Sequence, residues 1–133
     1  MAERDITVKI LKEASQLGAR LFRQNTGLGW VGKIVRKTGQ ALVLKNPRPL
    51  HAGLCVGSSD VIGWTPRVIT PEMVGKTVAV FTAIEVKTKG ITVTEPQKKF
   101  VQAVQEAGGI AAVVRSPEEA VSVIKGELDV SLR

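Results

Sequence analysis

The chain has a single cysteine, few aromatic residues and no long apolar run, and each shortage excludes a class of protein. Because Cys55 is the only cysteine, an internal disulfide and a cysteine-based metal site are excluded, and a reducing compartment is favoured. No apolar run approaches the roughly 20 residues that span a bilayer, so no membrane partner is expected. The charged start, Met1–Asp5, leads into no apolar segment and is unlike a signal peptide. A cytoplasmic protein is predicted, in a host cytoplasm if a virus encodes it.

The charge is one-sided but is not concentrated in a tail. Lysine and arginine number 19 against 12 aspartates and glutamates, which gives a net charge of +7 and a pI near 9.9. This balance favours a polyanionic partner such as nucleic acid, although many small proteins are simply basic. No run of five like charges occurs, so the charge is spread over the fold. At 133 residues and 44% hydrophobic content, the chain is predicted to be one domain, residues 1–133.

Hydrophobic periodicity and turn residues predict an alternation of helices and strands. A helical period over residues 3–19 places Ile6, Ile10 and Leu17 on one stripe, and Gly18 is expected to end that helix. The apolar run within Lys76–Thr88 predicts a central strand that is buried on both faces. The other expected elements are strands at 20–23, 30–36, 40–45 and 110–114, an interrupted segment at 54–64, a loop at 46–53, a helix from Thr94 to Gly108 with Phe100, Val101 and Val104 inward, and a helix from Ser116 to about Lys125.

Two glycine-rich patterns imitate phosphate-binding loops. Gly27–Gly32 has the spacing of a dinucleotide-binding loop, and Gly27–Lys33 has the frame of a P-loop. Both motifs need a helix directly after the glycines, whereas Lys33–Arg36 is β-prone. Ile34 also occupies the position of the hydroxyl that ligates magnesium in a P-loop. A glycine turn that enters a hairpin is the better interpretation, and no nucleotide cofactor is expected.

Three short segments carry two carboxylates, a lysine and a glutamine that suit one site. Asp60 ends an apolar, glycine-bounded segment, and Glu85 precedes Lys87 by two residues in a strand-like run. Because strand side chains alternate with a period of two, Glu85 and Lys87 point to the same face. Gln97 opens the next helix, where it also fits half of a capping box with Thr94. Two acids and a lysine suit a hard divalent cation and an activated water, which is the chemistry of phosphodiester hydrolysis.

In this order and at these spacings, Asp60, Glu85-x-Lys87 and Gln97 resemble the PD-(D/E)XK nuclease superfamily, and most closely its VRR-NUC family. The resemblance runs through nearly the whole chain, as in a stand-alone, phage-type domain. Ser59 stands where the nominal motif has proline, a variation that the family tolerates. The supporting segments are Glu3-x-x-Ile6-x-x-x-Ile10, Phe22-Arg23-x-Asn25-Thr26-Gly27, Gly57–Gly63, Gln97-x-x-Phe100 and Ala107–Val114.

The resemblance implies a fold and an activity. The expected fold is an α/β, restriction-endonuclease-like core with a mixed central sheet flanked by helices and a β-hairpin insert. The expected activity is metal-dependent hydrolysis of DNA phosphodiesters, in DNA repair, by a homodimer that selects branched, Holliday-junction-like DNA. Aromatic residues make up only 4% of the chain and no recognition-helix motif occurs, so base-specific readout is not expected. Cleavage of flap or duplex DNA stays open. The alternatives are a non-catalytic nucleic-acid-binding module that retains the nuclease fold and, third, a nucleotide-binding protein.

The chemistry and the resemblance together assign roles to the site residues. Mg²⁺ or Mn²⁺ is the expected cofactor. Its expected ligands are Asp60 and Glu85, with the Val86 backbone carbonyl and Glu3 added by resemblance, and Glu13 as a substitute for Glu3. Lys87 is expected to hold the attacking hydroxide or to neutralise charge on phosphorus, and Gln97 to orient Lys87 or a phosphate.

Each of these residues also has a plainer interpretation. Asp60 would cap a turn, and Glu85 and Lys87 would form an ion pair on an exposed face. Trp30 and Trp64 are expected to pack rather than to stack on bases. The basic residues of the hairpin and the following loop are interpreted as an arm that contacts phosphates, with a solvated face nearly as good an account. These residues are Lys33, Arg36, Lys37, Lys45 and Arg48.

Overall fold

The computed structural model describes residues 2–127, and the chain divides into two compact units, Met1–Trp64 and Thr65–Arg133. The first unit contains α1 (Glu3–Gln16), β1 (Arg20–Arg23), β2 (Gly27–Lys37), β3 (Leu42–Ala52) and β4 (Val61–Trp64). The second contains a 3-10 turn (Pro71–Met73), β5 (Thr82–Val86), α2 (Glu95–Glu106), β6 (Ile110–Val114) and α3 (Pro117–Lys125). The predicted α/β class is therefore confirmed. No helix within residues 2–127 combines the length and the apolarity that crossing a membrane requires.

Strand pairing is local within each unit. β1 pairs with β4 and β2 with β3, both antiparallel, whereas β5 and β6 run parallel. Over residues 2–127 these are three two-stranded sheets, in place of the single mixed central sheet that the resemblance implies. The parallel pair has the connection such a pair needs, because α2 lies between β5 and β6 in the chain.

In the first unit, β1 and β4 approach each other closely at a glycine. Gly63 lies opposite Leu21, and a Cβ added to Gly63 would stand 2.0 Å from the carbonyl oxygen of Arg20. Phe22 and Trp64 extend the contact, with ring centroids 5.6 Å apart. Trp64 therefore packs within the unit, as predicted, whereas Trp30 on β2 is 58% exposed.

The hairpin of β2 and β3 is longer than the sequence predicts. The expected glycine turn is wrong, because β2 begins at Gly27 and the glycine-rich segment lies within this strand; the strand leads into the hairpin and not into a helix. The predicted loop at residues 46–53 is wrong, because β3 continues through Pro47 and Pro49 to Ala52. Proline lacks an N–H, but in a two-stranded hairpin each strand has an outer edge at which no hydrogen bond to a partner strand is lost. The register shift between Val31 and Lys33, near the prolines, is a further place where regular pairing is interrupted.

The prediction of a central strand over residues 76–88 is wrong in length and in burial. β5 covers only Thr82–Val86, and Val78 and Val80 ahead of it are 54% and 45% exposed. A continuous apolar run is typical of a strand covered on both faces, but within residues 2–127 β5 has a single strand neighbour, β6. The apolar run therefore indicates the residue types that strands favour, but it does not predict where this strand begins and ends.

The core of the second unit forms between β6 and its helices. β6 is nearly fully buried, as predicted, and Val101 and Val104 of α2 are 2% and 1% exposed. Phe100 does not follow the prediction of an inward side chain, because it is 41% exposed. A second cluster joins Ala112, Val114 and Val123. The helix boundaries match their signals: Thr94 and Ser116 cap α2 and α3, and Gly108 and Gly126 follow their ends with φ values of 88° and 73°.

Helix α1 has the predicted position but not the predicted burial. It ends at Gln16, and Gly18 follows with a φ of 81°. Ile6 and Ile10 are 46% and 45% exposed, and Leu17 is 83% exposed, so the expected buried stripe is wrong for these residues. The paired strands β1 and β4 have four residues each, which is too short a surface to cover a helix of 14 residues.

Candidate active site

Glu85 is placed by the alternation of side chains along β5. Its strand neighbour Ile84 packs against the buried cluster of Ala112, Val114 and Val123. Because successive strand side chains point to opposite faces, the Glu85 side chain points away from that cluster, and there it contacts α2. The Glu85 side chain is 30% exposed, so the carboxylate is open to solvent on one side.

Gln97 reaches Glu85 from the first turn of α2 while it also caps that helix. The Gln97 Nε2 donates to Glu85 Oε1 at 2.6 Å, and the Thr94 N–H donates to Gln97 Oε1 at 3.0 Å. The Gln97 N–H donates to the Thr94 hydroxyl at 3.4 Å, which completes a capping box. The capping box that the sequence predicts for Thr94 and Gln97 is thus confirmed. The amide contacts Glu85, whereas the predicted partner is Lys87 or a phosphate.

Lys87 contacts the same carboxylate oxygen from the end of β5. Its Nζ lies 3.2 Å from Glu85 Oε1, and the Lys87 side chain is 15% exposed. The Lys87 N–H donates to the Val114 carbonyl at 3.0 Å, which holds the lysine in line with the strand. The plain ion pair exists, but a lysine this sheltered beside a half-open carboxylate also matches the site chemistry. Both interpretations share one geometry.

The segment that follows Lys87 is held by an arginine that the sequence analysis does not single out. Arg115 donates from Nη1 to the Thr88 carbonyl at 2.8 Å and from Nη2 to the Ile91 carbonyl at 3.1 Å. Two bonds from one planar guanidinium fix the orientation of the turn between β5 and α2. Arg115 is therefore a positioning residue for the end of β5.

Asp60 lies just before β4, in a loop that Gln24 organises. The Gln24 backbone N–H donates to the Asp60 carbonyl at 2.9 Å. Its side-chain amide accepts from the Leu54 N–H at 2.9 Å and donates to the Ser59 carbonyl at 3.0 Å, as well as to the Ser58 hydroxyl. One residue thus binds both ends of the segment from Leu54 to Asp60. The Asp60 side chain itself is exposed.

The remaining candidate residues lie in the first unit. Glu3 and Glu13 are exposed residues of α1, and the Glu3 carbonyl accepts a hydrogen bond from Thr7 at 3.0 Å. No group of three or more His, Cys, Asp or Glu side chains within residues 2–127 is arranged to ligate a metal. The five basic candidates lie on the hairpin and are all exposed; they are Lys33, Arg36, Lys37, Lys45 and Arg48.

The structure brings together three of the predicted site residues, Glu85, Lys87 and Gln97, within the second unit. Glu85 and Gln97 also line an open concavity of about 370 Å³, whose other lining side chains are apolar residues of β5 and α2. Asp60 and Glu3 belong to the first unit. Gln24 lies within the segment Phe22–Gly27 but is not among the residues predicted from the sequence. No periodicity of the sequence indicates a role for Gln24. Only the length of its side chain, and the ability of its amide to donate and accept hydrogen bonds at the same time, suit a residue that binds a loop.

The second unit thus has a parallel β-strand pair with Glu85-x-Lys87 at its strand end, and a helix whose first turn contacts that glutamate. The family model described as "VRR-NUC domain" matches residues 3–118 and so runs through both units. The chain belongs to the VRR-NUC family, a nuclease-type domain of the PD-(D/E)XK kind, for which DNA is the implied partner. Comparison with curated proteins and with solved structures gave no match.

Proposed function

We propose that this protein is a divalent-metal-dependent deoxyribonuclease, folded as a single domain over residues 1–133. The observation that carries the proposal is the convergence of Lys87 and Gln97 on Oε1 of Glu85. A carboxylate held by two donors has one defined orientation. Both contacts use Oε1, which leaves Oε2 as the oxygen that we propose for binding a hard cation.

The metal proposed is Mg²⁺ or Mn²⁺, with Glu85 and the Val86 backbone carbonyl as its ligands in the second unit, and Asp60 of the first unit is proposed as a ligand from the family resemblance alone. The donor set suits Mg²⁺ because this ion binds oxygen, keeps several waters and needs only one or two carboxylates beside the substrate phosphate. A site of this kind needs no cluster of three acids. Glu3, or Glu13 in its place, is the proposed source of a further carboxylate. When bound, the metal polarises the phosphoryl oxygen and lowers the pKa of its water.

Lys87 and Gln97 have separable roles in this proposal. Lys87 neutralises the charge that develops on the phosphate oxygens, because its ammonium lies 3.2 Å from the carboxylate that faces the substrate. Gln97 acts through Glu85, since its amide touches that carboxylate at 2.6 Å. The α2 N-terminus adds a partial positive charge at the same place, which also favours a phosphate.

The proposed substrate is branched, junction-like DNA, and the proposed active form is a homodimer. A single site per chain hydrolyses one strand, so paired cuts at a junction call for two copies. Exposed apolar side chains on one face of β2 support such an interface in the first unit: Leu28 and Trp30, two residues apart, are 61% and 58% exposed. The hairpin carries exposed basic side chains, and contacts with the DNA backbone require charge of this sign.

The test is cleavage of labelled four-way-junction, flap and linear duplex DNA in Mg²⁺, Mn²⁺ or EDTA. We expect metal-dependent cutting that Glu85→Gln abolishes, with DNA binding retained. Glu95→Gln is the matched control, because it also replaces one carboxylate by an amide. Glu95 begins α2, and its side chain is 73% exposed and paired with Lys98 rather than with the site residues. Binding without cutting in either metal would contradict the proposal and favour a non-catalytic nucleic-acid-binding module. The ranking of the three substrates tests junction selectivity separately.

A further inference from the structure

The excess positive charge of the chain comes from one segment. Between Glu13 and Asp60 the sequence contains no aspartate or glutamate, and it contains seven lysines and arginines. The rest of the chain has twelve of each sign, so this segment carries the whole net charge of +7. Five of the seven cations lie on the hairpin of β2 and β3. A polyanion would therefore be drawn to this hairpin rather than to the protein surface in general.

Two of these cations stand directly opposite each other. Lys33 and Lys45 are partners in the strand register, and like charges in this position destabilise a hairpin. No acid within the hairpin offsets the repulsion, because the segment has none. An arrangement that costs stability in the free protein is relieved when an anion lies between the two ammonium groups.

A bulge beside this pair shapes a concavity. The register shifts between Val31 and Lys33, and on the opposite strand Asn46 adopts a positive φ of 52°. Gly32 is required at the bulge, since a Cβ there would lie 2.8 Å from the Lys45 carbonyl oxygen. The result is an open concavity of about 580 Å³ lined by Gly32, Lys33, Lys45, Asn46, Pro47 and Arg48. Three cations and no acid border it.

The register divides the remaining hairpin cations between two faces. Paired residues share a face, and Val43 lies two residues from Lys45 and so on the same face. Arg36 is paired with Val43 and therefore joins the face of Lys33 and Lys45. Lys37 is paired with Leu42, which points to the other face.

We infer that one face of the hairpin, formed by Lys33, Arg36, Lys45 and Arg48, binds the DNA phosphate backbone, with a phosphate seated in the concavity at the Gly32 bulge. This inference rests on the proposed function for the identity of the polyanion. Lys37 lies on the opposite face and takes no part in binding. The contact is to phosphates, so it is independent of base sequence and is strongly weakened by salt.

The test compares two double variants of the full chain in binding to a labelled DNA duplex. K33Q/K45Q removes the opposed pair, and K12Q/K37Q removes two lysines of the same unit outside this face. Affinity is measured in EDTA, which prevents cutting, across a series of NaCl concentrations. Each lost phosphate contact makes the negative slope of log K against log salt shallower by about 0.9, so K33Q/K45Q should make it shallower by about 1.8. The same relation gives roughly a 60-fold loss of affinity in 0.1 M salt.

A small change of slope in K12Q/K37Q, with the large change in K33Q/K45Q, supports the inference. Equal changes in the two double variants would overturn it, as would an unchanged slope in K33Q/K45Q. Tighter binding to phosphatidylserine vesicles than to DNA would also overturn it. The outcome is separable from the proposed nuclease activity. If wild type binds with this face dependence but does not cut in Mg²⁺, only the activity fails. If it cuts while K33Q/K45Q keeps its slope, only the binding face fails.

Discussion

Gln97 has two partners, and two substitutions separate them. Its amide oxygen belongs to the capping box with Thr94, whereas its amide nitrogen donates to Glu85 at 2.6 Å. Gln97→Glu retains an oxygen that accepts from the Thr94 N–H, since glutamate serves a capping box as well as glutamine does. It removes the donor to Glu85 and sets a second carboxylate against it. Thr94→Ala does the reverse, because it removes the cap and leaves the contact to Glu85 in place.

The two variants should therefore differ in which property they lose. A hydrogen bond to a charged group contributes about 1.5–3 kcal/mol. If that energy holds Glu85 in its reactive position, Gln97→Glu lowers kcat by about 10- to 150-fold. Loss of an N-cap costs about 1 kcal/mol of unfolding free energy, so Thr94→Ala should lower Tm by about 4 °C. Its kcat should stay near that of wild type.

Initial rates of DNA cleavage at saturating Mg²⁺ and thermal unfolding followed by circular dichroism give the two quantities. A rate in Gln97→Glu equal to that of wild type would refute the positioning role of the amide. An equal loss of rate in Thr94→Ala, at a temperature where both variants are folded, would show that the helix cap and not the contact to Glu85 matters.

Three further predictions concern the site and its support. Lys87→Gln should lower the cleavage rate by more than it lowers metal affinity, and a collapse of metal affinity, seen in a Mn²⁺ titration, would contradict its charge-neutralising role. Gln24→Ala removes three side-chain hydrogen bonds to the loop before Asp60. It should therefore slow cleavage about tenfold or more, at about 1.4 kcal/mol per tenfold, with DNA affinity unchanged. Unaltered cleavage would mean that the loop needs no such support. Gly63→Ala should destabilise the protein by about 3 kcal/mol or more, because its Cβ would stand 2.0 Å from the Arg20 carbonyl oxygen, and a wild-type Tm would show that the strands separate at little cost.

The helix ends were predictable because their signals are local. A threonine N-cap with a glutamine three residues on, and a glycine of positive φ after the last turn, act through bonds within a few residues. The strand extents were not predictable in this way. Residues 76–80 have strand chemistry, but β5 begins only at Thr82, and β3 crosses two prolines because it is an edge strand. Whether a segment is a strand depends on what lies beside it.

The candidate site shows the same division. Glu85 and Lys87 follow from the period of a strand, so their shared face could be predicted from spacing alone. The contact of Gln97 with Glu85 needed the packing of α2 on β5, which no spacing reports. Gln24 and Arg115 hold their loops through bonds to residues up to 35 and 27 positions away. Bonds of that range leave no local pattern in the sequence.

The sequence by itself determined the family, the helix boundaries, the residue types of the site and the excess of positive charge, because these depend on composition, order and short-range periodicity. The tertiary structure alone decided which of those residues touch: one carboxylate oxygen shared by Lys87 and Gln97, and two lysines opposed across a bulge. The physical reason is that cross-strand register and helix packing are set by the burial of whole faces. The type of a single side chain therefore does not indicate which residue it contacts.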